Sequence, residues 1–165
     1  MENIILIGMP GAGKSTAGVV LAKTLGMDFL DSDLAICRRT GKPLQHALDE
    51  LGLEGFLGLE EQVILGLRPQ NTVLATGGSV PLRDKAMAHL KSLGTVVYLQ
   101  VPLPELEARI SNITTRGIVF APGETLADLY RRRVPIYERW ADVTVSPVPG
   151  RNDLEAMVEA IVHAL

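Results

Sequence analysis

Asn3-Ile4-Ile5-Leu6-Ile7 runs straight into Gly8-Met9-Pro10-Gly11-Ala12-Gly13-Lys14-Ser15-Thr16. The first five residues read as a buried strand, because they form a short Ile-rich run that stops at glycine. The next stretch carries glycines five apart followed at once by Lys-Ser, the complete P-loop pattern. Gly8, Gly11 and Gly13 let backbone N–H groups turn inward around an anion. The helix expected from Lys14 to Leu25, closed by Gly26, adds the partial positive charge of its N-terminus. Gly11, Ala12, Gly13, Lys14, Ser15 and Thr16 are therefore the expected ATP-binding residues. Lys14 is expected to reach the β- and γ-phosphates, and the Ser15 hydroxyl to hold Mg²⁺.

Working outward, apolar runs and helical patterns alternate to the end of the chain. Strands are expected at 28–31, 72–75, 96–99 and 143–145, and helices at about 33–40, 44–51, 55–67, 82–92, 102–110, 125–139 and 152–164. Together with the first strand this predicts an α/β three-layer sandwich, a five-stranded, mainly parallel sheet flanked by helices, of P-loop NTPase type. The polar, Gly/Pro-containing stretch at 111–124 lies between two helices and is expected to be a lid. Residues 1–165 read as a single kinase domain, without internal repeats or linkers.

Composition narrows the class. The chain has 165 residues and a net charge of −3, which argues against a nucleic-acid or membrane surface. Cys37 is the single cysteine, so no internal disulfide forms, and no His/Cys cluster suggests zinc. No apolar run approaches the ~20 residues of a membrane helix, and no signal-peptide pattern opens the chain. A cytoplasmic enzyme is the simplest class. Cys37, His46, His89 and His163 show no partner spacing and receive no role.

Ligands of such folds sit beyond the carboxyl ends of the strands. Asp31-Ser32-Asp33 follows the second strand, and its two carboxylates can divide Mg²⁺ binding and proton acceptance between them. An Asp here would also cap the following helix. Thr76-Gly77-Gly78 follows the third strand and allows close backbone approach to a ligand. Arg109, Arg116, Arg131, Arg132 and Arg133 supply positive charge. Arg116 falls within the expected lid, where it can stabilise a transferring phosphoryl group. Arg131 and Arg132 read as a solvated helix face.

These blocks resemble the shikimate kinase family. The resemblance rests on the P-loop, Phe29-Leu30-Asp31-Ser32-Asp33, Ala75-Thr76-Gly77-Gly78, and Arg133-Val134-Pro135-Ile136-Tyr137-Glu138 leading to Ala141-Asp142. It implies transfer of the ATP γ-phosphate to the 3-hydroxyl of shikimate, with Mg²⁺. It puts Asp31 near the metal and Asp33 at the substrate hydroxyl. It has Gly77 and Gly78 offering N–H groups to the substrate, Arg133 binding its carboxylate, Arg116 acting from the lid, and Arg109 stacking on adenine. Lys14, Asp33 and Arg116 are the expected catalytic residues.

Three positions depart from the family pattern. Phe56-Leu57 stands where the family carries a second carboxylate-binding arginine. The three-glycine run is Gly77-Gly78-Ser79, and the Arg-Pro-Leu of the lid is Arg116-Gly117-Ile118. Losing an arginine that faces a carboxylate costs a few kcal/mol of binding. Leu57 therefore motivates an alternative acceptor with its own ammonium group, such as homoserine. A non-catalytic nucleotide-binding module and a nucleoside monophosphate kinase are more distant readings.

Overall fold

A computed structural model describes residues 2–110, 122–148, 150–151 and 153–165. Five strands form one sheet in the order β2-β3-β1-β4-β5: β1 Asn3–Ile7, β2 Asp28–Asp31, β3 Thr72–Ala75, β4 Gly94–Leu99 and β5 Val143–Val145. Every pairing is parallel, and Ile5 sits opposite both Leu74 and Val96. All five residues of β1 and all four of β3 are buried, as befits central strands covered on both faces. Asn3 ties the amino ends of the strands together. Its amide donates to Pro69 O and Leu93 O, and its Oδ1 accepts from the Thr72 N–H.

The helices follow from right-handed crossovers. The chain moves left from β1 to β2 through α1 (Lys14–Leu25) and then right through α2 (Ser32–Thr40), α3 (Leu44–Leu65), α4 (Asp84–Leu93), α5 (Leu103–Arg109) and α6 (Leu126–Trp140). It returns on α7 (Leu154–Ala164), which packs against α1. The layers thus meet around a core that includes Leu6, Ile7, Leu21, Val97, Leu99 and Ile161. A smaller cluster of Ile36, Ala47, Phe56 and Val63 fixes α2 against α3. The helices expected at 44–51 and 55–67 run into one another as α3, with the break carried by Gly52 at φ 72°.

Connections leave β1 toward one side of the sheet and β3 toward the other. The crevice between their carboxyl ends is the topological switch point, where ligands bind in such sheets. The P-loop and Thr76-Gly77-Gly78 flank that crevice. Among the described residues, no helix is long and apolar enough to cross a membrane. Arg116 and nearly all of the expected lid at 111–124 lie outside the described residues.

Candidate active site

The loop between β1 and α1 is shaped by its glycines. Gly13 adopts φ 86°, in the left-handed region, and stands at the N-cap of α1. No side chain caps that helix, so its first-turn N–H groups face the loop. The Lys14 ammonium is held at the loop mouth, where Nζ donates to Gly8 O and Met9 O, each at 2.8 Å. From the next residue, Ser15 Oγ donates to Asp31 Oδ2 at 2.6 Å.

Asp31 caps α2 with one carboxylate oxygen and turns the other toward the P-loop. Oδ1 accepts from the Asp33 N–H at 2.8 Å and caps α2, while Oδ2 faces Ser15. A hydroxyl and a carboxylate side by side next to an anion cradle make an oxygen donor set suited to Mg²⁺. That ion is commonly held by one or two protein oxygens plus substrate phosphates. Among the described residues, no group of three or more His, Cys, Asp or Glu could hold a metal.

A cavity of about 400 Å³ opens beyond the loop, lined by Lys14, Ser15 and Thr16 on one side and by Asp33, Glu60, Gly78 and Arg133 on the other. Asp33 is half-buried, and its carboxyl is raised to about 6 by burial and by the neighbouring Asp31, with Lys14 opposing the shift. Arg133 is only 1% exposed. It lies on α6 between Leu129 and Tyr137, four residues away on either side, so one buried stripe delivers all three. Tyr137 donates its hydroxyl to Gly78 O at 2.8 Å and so fixes the turn after β3.

The expectation for Gly77 needs correction. Its N–H donates to the buried Ser32 Oγ at 2.9 Å and is thus committed within the protein. Its contribution is steric: a Cβ there would stand 2.7 Å from Asp33 Oδ1 and 3.1 Å from Glu60 Oε2. The missing side chain lets two carboxyl groups converge. Gly78 is similarly crowded, since a Cβ would lie 3.1 Å from Arg133 Nη1.

Glu60 is a site residue that the pattern reading passed over. It is 1% exposed, and Ser79 Oγ donates to its Oε1 at 2.8 Å. Burial raises its carboxyl to about 7. The Ser79 hydrogen bond, Arg133 and Arg83 pull it down, and Asp33 pushes it up. A signal was present: Glu60 falls on the stripe of Phe56, Val63, Ile64 and Leu67, an acidic residue on an apolar helix face. Leu57 is 7% exposed; its neighbour Phe56, and not Leu57 itself, lines the cavity.

Arg109 stands on the far side of the P-loop. Its Nη1 donates to Gly11 O and Ala12 O at 3.3 Å, and its Nη2 pairs with Glu105 at 2.6 Å. It borders both the main cavity and a second one of about 300 Å³, whose walls include Gly13, Thr16 and Pro147. Arg131 and Arg132 point away and pair with Asp128 and Glu124, in keeping with a solvated face.

An anion cradle that faces a buried guanidinium across a cavity of this size leaves room for a small acceptor beside a triphosphate. The class so defined is the P-loop small-molecule kinase. A family model described as shikimate kinase matches residues 10–165, and the chain belongs to the shikimate kinase family. It is 41% identical to the shikimate kinase of Paracidovorax citrulli, over 99% of this chain and 91% of that one. The solved structure of Acinetobacter baumannii shikimate kinase in complex with shikimate superposes with a TM-score of 0.87 at 35% identity. That match covers 99% of this chain and 92% of the other. Shikimate kinase from Aquifex aeolicus gives 0.83 at 29% identity, over 98% and 95%.

Proposed function

We propose that this protein transfers the γ-phosphoryl group of ATP to a hydroxyl of shikimate, working as a cytoplasmic monomer built from one kinase domain. The observation that carries the reading is the single cavity with the P-loop on one wall and Arg133, Asp33 and Glu60 on the other. The family match over nearly the whole chain supports shikimate as acceptor and does not favour homoserine, whose case rested on Leu57.

The chemistry follows from the placement of the side chains. The N–H groups of the P-loop and first turn of α1 hold the phosphates, and Lys14 offers its ammonium to their outer oxygens. Ser15 and Asp31 would hold Mg²⁺, which would supply neutralisation of phosphate charge. The adenine lies in the second cavity against Arg109. Arg133 pairs with the acceptor's carboxylate, and its burial makes that pairing specific for a planar anion. Asp33 then faces the acceptor hydroxyl and takes its proton as the phosphoryl group leaves. Most of the acceleration comes from positioning and fixed charge, as expected for phosphoryl transfer.

Coupled ADP release from the purified protein, tested with shikimate, homoserine, gluconate and nucleoside monophosphates, tests the reading. Shikimate should drive turnover well above the others. Turnover driven by homoserine or a nucleotide, with shikimate inert, overturns it.

A further inference from the structure

Arg83 follows Ser79 by four residues, and the Ser79 hydroxyl meets Glu60 on α3. It follows the short 3-10 turn Val80–Leu82, and its N–H donates to Val80 O at 3.1 Å. Its side chain reaches α3, where Nη2 donates to Glu54 Oε2 at 3.1 Å. The Glu54 side chain is 81% exposed, and such solvent-screened surface pairs contribute little. The inner end is different. Nε is buried and has no hydrogen-bond acceptor among the described residues. A buried N–H left unpaired carries its full desolvation penalty. Arg83 is thus held by its weakly interacting end and unsatisfied at its buried one.

Glu60 lies six residues beyond Glu54 on the same helix, near enough for the Arg83 charge to act on it. The groups that face Glu60 come from several elements. Ser79 donates to it, Asp33 on α2 opposes its ionisation, and Arg133 on α6 and Arg83 favour it. Tyr137, also on α6, feels its charge. In the proposed function, on which this argument rests, Arg133 pairs with the acceptor's carboxylate. A guanidinium so engaged offers Glu60 less positive charge. Among the described residues that act on Glu60, Arg83 is then the remaining cation.

We infer that Arg83 is a positioning residue for acceptor binding: as the acceptor occupies Arg133, the Arg83 guanidinium turns from Glu54 to Glu60 and brings its buried Nε–H to that carboxylate. Exchanging an exposed partner for a buried one satisfies the orphaned donor. It also holds the Glu60 wall in place beside Gly77 and Asp33.

The test compares Arg83→Met, Arg83→Lys and Glu54→Gln by KM and kcat for shikimate and ATP, between pH 6.5 and 9. Arg83→Met should raise the KM for shikimate about tenfold, the scale of one charge-assisted hydrogen bond, with the KM for ATP within about twofold. The defect should shrink toward pH 9, where Glu60 ionises without help. Arg83→Lys should restore part of the loss, and Glu54→Gln should leave the KM for shikimate at or below the wild-type value. Equal defects in Arg83→Met and Glu54→Gln, or no defect in Arg83→Met, overturn the inference and leave Arg83 as a pin between α3 and α4. Should Arg83→Met fail to fold, Arg83→Gln is read by the same criteria. A wild-type enzyme inert toward shikimate refutes the proposed function instead, so the two failures are distinguishable.

Discussion

Replacing Glu60 by glutamine should stabilise the ligand-free protein at neutral pH. Glutamine keeps the shape, and its Oε1 still accepts from Ser79. The Glu60 carboxyl is raised from 4.5 to about 7, chiefly by burial. The native state therefore holds a proton that the unfolded chain releases across that interval. The stability tied to this proton is fully present below pH 4.5 and is lost as pH rises toward and through 7. Raising the carboxyl from 4.5 to about 7, at about 1.36 kcal/mol per pH unit, corresponds to about 3 kcal/mol. Asp33 shifts in the same direction, so the comparison with Glu60→Gln, rather than the raw slope, isolates Glu60. Urea denaturation at several pH values from 4.5 to 7.5 reads it out. Wild type and variant should match near pH 4.5, and the variant should be about 3 kcal/mol more stable at pH 7.5. The opposite result has a clear meaning. If Glu60 were ionised and locked to Arg133 as a stabilising pair, removing its charge would cost about 3–5 kcal/mol. A variant less stable at pH 7.5, or parallel profiles, refutes the reasoning.

Three further outcomes follow from the same geometry. Lys14→Met should lower kcat by about a thousandfold or more while the protein stays folded by circular dichroism, because a fixed charge at the transferring phosphoryl group is lost; appreciable residual turnover contradicts the phosphate-loop assignment. Gly77→Ala should disturb the acceptor side only, raising the KM for shikimate with nucleotide affinity unchanged, since its Cβ meets Asp33 and Glu60 and not the P-loop. Asp31→Asn should raise the Mg²⁺ concentration for half-maximal rate about tenfold, read from a metal titration at saturating ATP; an unchanged titration removes Asp31 from the metal site.

Much of the fold was legible because its signals are local. A parallel strand buried on both faces must be apolar throughout, and β1 and β3 are written that way. The glycines of the P-loop mark a turn that no other residue type makes easily. Arg133 was set apart from Arg131 and Arg132 by the family resemblance alone, and the structure puts it on the buried side of α6 with Leu129 and Tyr137. The acceptor wall was less legible because it is assembled by tertiary contact. Glu60 reads as one acidic residue among several on α3 until α3 leans over the end of β3 and Ser79 meets it. Gly77 looked like a donor of its N–H, and only the position of Ser32 shows that group already taken. Arg83 carried no pattern at all. Its interest lies in a buried nitrogen, which sequence spacing does not encode. Leu57 led the reading toward a different acceptor, yet its neighbour Phe56, rather than Leu57, lines the cavity.

The central claim is that Arg133 reads a carboxylate on the acceptor opposite the phosphate loop. The most direct measurement compares kcat/KM for shikimate and for its methyl ester in the wild-type enzyme. The ester keeps every hydroxyl and loses the charge. Removing one charge from a buried, hydrogen-bonded ion pair costs about 2–5 kcal/mol, so the ester should be poorer by a factor of about 30 or more. An ester phosphorylated as efficiently as the acid would contradict the account.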